Sequence, residues 1–281
     1  MSQPQQIKRA PAIFLSHGAG PLPVFSEDHE SYRALLRKHS HLLGGVKAII
    51  LFSAHWETDE PRISGLESPA IFYDYEHMRD VLPKQAFELQ YDAKGDAGLA
   101  KSIADRLRSA GFSPVIEDRP WDHGVYVPMS IMLPQGNIPI VEMSVLKGQT
   151  DLEATEKNFR LGEVMGTFRD EGYAVVGSGG SWHDFRRGAA AYFGDGSKLT
   201  EEEVQFEEFL KDIAETKDLE LRKKRLCAWR EAPGNVEAHV IGEAEHFMPY
   251  VVAAASGGQG AGRRLDILWL PNGMPYGFYI W

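Results

Sequence analysis

The chain has 281 residues, of which 43% are hydrophobic and 25% charged, with a net charge of −10. That balance excludes a wholly disordered chain, and the acidic excess argues against a protein that tracks a nucleic-acid backbone. No apolar stretch approaches the ~18 residues of a membrane span, and the polar start (Met1 to Arg9) lacks the apolar core of a secretory signal. A lone cysteine, Cys227, rules out an intrachain disulfide or a thiolate cluster, so a cytoplasmic location is expected.

Short apolar runs bounded by small or polar residues predict buried strands at 12–15, 46–52, 138–143 and 173–177. Helical patterns alternate with them at 30–41, 96–110, 151–171, 201–216 and 236–255. The run Arg222 to Arg225 reads as a solvated helix face. The Gly-rich stretch 256–262 reads as a loop, and 265–270 with 276–280 as a hairpin or edge strands across Pro271, Asn272 and Gly273. Alternating strands and helices imply one α/β domain over residues 1–281, its first ten residues flexible. A central, mostly parallel sheet is expected with helices on both faces.

Ligands in such folds collect beyond the carboxyl ends of the strands. Three histidines fall there: His17 after the first strand, His55 after the second, and His183 after the run Val176 to Gly180. A single histidine in such a place is usually a hydrogen-bonded structural residue; three favour a shared site. His123 stands in a loop entering a helix, and His246 in or near the helix expected over 236–255. Of the remaining five, His29, His39, His41 and His77 read as surface residues, and His239 could share a helix face with His246.

Other motifs carry less. The segment Gly177 to Ser181 lacks the register of a nucleophile elbow and reads as a tight turn with donors for an anion. Gly18-Ala19-Gly20 lacks the full dinucleotide fingerprint. Cys227, on a helical pattern with no adjacent histidine, does not read as a nucleophile.

Taken in order, Ser16-His17-Gly18, Ser53-Ala54-His55-Trp56, Asp122-His123-Gly124, Gly177-Ser178-Gly179 leading to His183, and Glu245-His246-Phe247 resemble the class III extradiol ring-cleavage dioxygenases. The likeness is to the DOPA 4,5-dioxygenase-like branch. The resemblance implies a non-haem Fe(II) site, which zinc could occupy in purified protein, with His17, His55 and His246 as metal ligands. It further implies His183 as the active-site base and His123 as a donor to substrate oxygen, with His183 also able to approach the metal. Trp182, Tyr75 and His77 are expected pocket walls. The implied substrates are a catecholic, DOPA-like small molecule and O2, giving a muconic semialdehyde-type product. No nucleic-acid or membrane partner is implied, and self-association into a homo-oligomer is left open. The chain departs from the branch at 73–83 and in its Ser-Trp-His-Asp segment, both on the substrate side.

The chemistry suits the residues. Three facial ligands on an octahedral ion leave three positions, two for a catecholate and one for dioxygen. An all-histidine set is electron-poor, which a nearby carboxylate, Glu245 or Glu57, could offset from behind. A zinc hydrolase on the same three histidines is the main rival reading; a non-enzymatic, Memo-like binding protein is the other, disfavoured by the presence of both His123 and His183.

Overall fold

The computed structural model describes residues 9–184, 186–188, 190 and 197–281; the expected flexibility of residues 1–10 falls almost wholly outside them. The architecture is one eight-stranded sheet in the order β4-β3-β5-β2-β6-β1-β8-β7. Its strands are β1 (Ala12–Ser16), β2 (Ile49–Thr58), β3 (Arg62–Ser64), β4 (Val115–Glu117), β5 (Ile140–Leu146), β6 (Ala174–Gly179), β7 (Arg263–Trp269) and β8 (Pro275–Ile280). The central strands β5-β2-β6-β1 are all parallel, and β8 runs antiparallel to both β1 and β7. The expected α/β fold and the C-terminal hairpin are therefore both present.

Each central strand is buried on both faces, as its near-continuous apolar sequence dictates. Along β2, Ile50 and Phe52 point into one core and Ile49 and Leu51 into the other. The first core packs under α3 (Ala97–Ser109), α5 (Asp151–Arg169), α6 (Phe206–Glu215), α7 (Leu219–Cys227) and α9 (Met248–Ser256). The second packs under α2 (Glu30–His39), α4 (His123–Met132) and the segment 71–91, with the short α1 (Leu22–Phe25) beside it.

Four expectations need correction. The helix expected over 236–255 is two elements, α8 (Asn235–Ala238) and α9, because Gly242 takes φ +77° and Pro249 belongs in a first turn. The helix expected from 201 begins at Phe206, after a run of turns. The run 222–225 is not a wholly solvated face. Arg222 is fully buried and donates to the carbonyls of Thr216, Ala254, Gly258 and Gly260, which caps the carboxyl end of α9. Finally, Gly177 to Gly179 is no turn; it is the last half of β6, paired with β1 and β2.

Candidate metal centre

His17 follows β1 directly, and its backbone N–H donates to the Gly179 carbonyl at 2.9 Å. His55 does not follow β2 but lies inside it, where the register with β5 slips between Ser53 and Glu57. A bulge of this kind re-aims a side chain. His246 comes from the turn ahead of α9, and His183 from the chain beyond β6. His123 opens α4, whose N-cap Asp122 accepts from the Gly124 N–H at 3.0 Å.

The nitrogens of His17, His55 and His246 offer one ligand atom each within 4.8 Å of one another. The Nε2 atoms of His17 and His55 stand 3.0 Å apart. Two nitrogens bound at right angles to one ion at ~2.1 Å would be about 3 Å apart, so the pair has the spacing that a shared metal requires.

Hydrogen bonds at the far side of the His17 and His246 rings fix which nitrogen faces inward. The Ser178 hydroxyl donates to the Gly124 carbonyl, so its oxygen accepts from His17 Nδ1–H at 3.0 Å. Glu245 Oε1 accepts from His246 Nδ1–H at 2.8 Å. Both rings therefore present an unprotonated Nε2. Of the two carboxylates considered from the sequence, Glu245 is the one that reaches the cluster; Glu57 is exposed. Burial, followed by the neighbouring imidazoles, holds His17 and His246 well below the usual histidine range, and brings His55 down to about 3. All three are neutral at pH 7, the form that binds metal. The donor set thus fits a divalent transition ion such as iron(II) or zinc.

Two more imidazoles join them. The His183 ring stacks on His246 with centroids 3.4 Å apart, and burial lowers its pKa to about 4. The His123 ring centroid lies 3.8 Å from that of His55, and its Nδ1 reaches both Asp74 carboxylate oxygens at 2.8 and 2.9 Å. All five histidines line one cavity of about 340 Å³. Two other groupings, His55-Asp74-His123 and His183-Glu245-His246, are also compact enough for an ion. In each, a carboxylate is already hydrogen-bonded to a histidine of the group, whereas the first set is made of imidazoles alone.

The expected pocket walls are all at the cavity. Trp182 is buried and its indole N–H donates to the Glu203 carbonyl at 2.7 Å. Tyr75 donates to the Ala86 carbonyl at 2.8 Å and accepts from the Tyr126 hydroxyl at 2.6 Å, so its ring rather than its hydroxyl is offered to a ligand. His77 is exposed at the rim. His41 is exposed, as expected, but His39 is half-buried against Asp266 at 3.3 Å. His29 is not a surface residue: it is only 4% exposed and lines the cavity. His239 shares no face with His246; it is buried among Phe206, Trp229 and Phe247. Burial raises the Cys227 pKa, in line with an unreactive thiol.

Sequence reasoning missed Asp74 and Ser178 as partners of the imidazoles, and the pair Asp122–Glu142 behind them. Ser53 donates to Asp122 Oδ1 at 2.7 Å and Arg119 to Oδ2 at 3.1 Å. Burial would raise Asp122, but hydrogen bonds with Glu142 and Ser53 and the nearby His55 hold it below the usual range. Burial, then the Asp122 charge, pushes Glu142 well above its own. The protonated form of Glu142 is thereby favoured beside the ionised Asp122.

Comparison with known proteins agrees with this geometry. Residues 9–268 match the family described as the catalytic LigB subunit of aromatic ring-opening dioxygenase. The chain is 34% identical over 266 residues to dioxygenase tasH of Hapsidospora irregularis, covering 88% of this chain and 78% of that protein. It is 32% identical over 253 residues to the 4,5-DOPA dioxygenase extradiol of Portulaca grandiflora, covering 88% and 86%. A 4,5-DOPA dioxygenase extradiol-like protein of Schizosaccharomyces pombe is also 32% identical, over 92% of this chain and 89% of its own. The crystal structure of protein JW3007 from Escherichia coli K12 superposes with a TM-score of 0.75 at 23% identity, over 97% of this chain and 99% of that one, and shares the fold. With most of its length matched and its imidazoles gathered where the parallel strands end, the chain belongs to the LigB family of aromatic ring-opening dioxygenases.

Proposed function

We propose that this protein is a non-haem iron(II) extradiol dioxygenase that opens the ring of a catechol with O2, both oxygen atoms entering a muconic semialdehyde-type product. The observation that carries the reading is the set of five imidazoles around one cavity: three presented for a metal and two beside them with nitrogens left for substrate. His17, His55 and His246 hold the ion. When bound, the metal orients catechol and O2 together and acidifies the first hydroxyl.

The protein's own groups manage the protons. His183 is neutral at pH 7 and takes the proton of the second catechol hydroxyl, returning it as the ring opens. His123, its Nδ1 on Asp74, turns Nε2 toward the substrate oxygens. There it can donate to a developing oxyanion, with the Asp74 carboxylate on the far side of the ring. Trp182 and Tyr75 supply flat apolar walls for the ring.

The test is anaerobic loading with Fe(II), then addition of a catechol and O2 while following oxygen uptake and a new yellow chromophore. One O2 consumed per ring opened is the expected result. Zinc-supported ester hydrolysis with no oxygen uptake on any catechol would instead favour a hydrolase.

A further inference from the structure

The five histidines of the candidate centre line only part of the cavity. Much of the remaining wall is apolar: Leu22, Met78, Trp182, Leu270, Met274 and Tyr276. Among the described residues no lysine or arginine lines it, and the sequence at 185, 189 and 191–196 contains neither. The charged wall residues are Asp74 and Asp184. Asp74 is taken up by His123. Asp184 uses Oδ1 to accept the Arg187 N–H at 3.0 Å, which leaves acceptor capacity on its second oxygen. The cations next to it in sequence are already paired, Arg186 with Glu243 and Arg187 with Glu203.

His29 adds an independent sign of a polar ligand. It is 4% exposed, lines the cavity, and its Nδ1 is buried without a hydrogen-bond partner. Buried polar nitrogens are normally satisfied, and one left open at a cavity wall points to something that enters the cavity. Burial, then Arg33, lowers its pKa, so the ring is neutral and able to accept a hydrogen bond.

Resting on the catechol reading of this site, we propose that the cavity selects catechols whose ring substituent ends in a protonated amine, with Asp184 as counter-charge and His29 as a further acceptor, and turns away those ending in a carboxylate. An ammonium group gains a charge-assisted hydrogen bond there. A carboxylate would lose its water against an apolar wall and face Asp184, with no lysine or arginine among the described wall residues to receive it.

The experiment measures binding, so it does not depend on ring opening. Zinc-loaded protein is titrated calorimetrically with three matched catechols: 4-(2-aminoethyl)catechol, 4-ethylcatechol and 3-(3,4-dihydroxyphenyl)propionate. The amine should bind about tenfold tighter than the ethyl compound, and the carboxylate about tenfold weaker. Asp184→Asn should bring the amine and ethyl compounds to within about threefold of each other. A carboxylate that binds as well as the amine, or an amine-to-ethyl ratio unchanged in Asp184→Asn, overturns the proposal while leaving the catechol reading intact. Failure of all three to bind contradicts the catechol reading, and this one with it.

Discussion

Ser178 shows how much a single hydroxyl can decide. By donating to Gly124 and accepting from His17 Nδ1, it fixes the tautomer that leaves His17 Nε2 open for a metal. Ser178→Ala should keep the fold and lower metal affinity about 10- to 100-fold, measured by competition with a chromophoric chelator. An unchanged affinity would mean that the tautomer is set elsewhere. His183→Ala should differ in kind: metal content stays near that of the wild type while turnover falls about 10²- to 10⁴-fold. His17, His55 and His183 were legible in the sequence because each follows small residues after an apolar run, whereas His123 and His246 came from the family resemblance. Of their partners, only Glu245 was legible. Asp74, Ser178 and Glu142 are polar residues whose role depends on what lies opposite in space, and Asp74 is 49 positions from His123. His29 misled for a similar reason: its neighbours Asp28 and Glu30 are exposed, yet its own ring turns inward.

The placement of His246 rests on the packing of α9 against β6. A Cβ on Gly179 would sit 2.2 Å from the His246 carbonyl, and one on Gly177 would sit 2.1 Å from the Pro249 carbonyl. The two glycines let backbone lie on backbone, and they hold the third imidazole over the strand end. Gly179→Ala should therefore shift His246 and weaken metal binding more than it lowers thermal stability, a split read by chelator competition beside a melting curve. Retained affinity would show that the turn before α9 adjusts freely. The sequence carried the strong elements well: α3, α5, β1, β5 and β6 lie within a few residues of where periodicity puts them, while β2 runs on to Thr58. It failed where tertiary contacts override local pattern. The strands β3 and β4 are three residues each, and Val115 and Ile116 of β4 are exposed. The helix α4 is apolar all round and holds Pro128, so its extent carried no helical period.

The sheet as a whole supports the site by burying charge behind it. Glu142 sits fully buried on β5, kept protonated by burial and by Asp122. Its folded pKa lies above the unfolded value of ~4.3. Its contribution to stability is therefore complete below that value and is lost as pH rises toward the folded pKa. Glu142→Gln keeps the shape and removes the titration. The melting temperature of the variant relative to the wild type should rise steadily between pH 5 and pH 9; a flat or falling difference would mean that Glu142 is ionised in the fold.

At the centre of the account is one divalent ion held by three imidazoles from separate parts of the fold. Anomalous diffraction from crystals loaded with Fe(II) tests it most directly. A single metal peak bonded to Nε2 of His17, His55 and His246, with His123 and His183 beside it, is the expected result. A peak held instead by His55, Asp74 and His123, or by His183, Glu245 and His246, would contradict it.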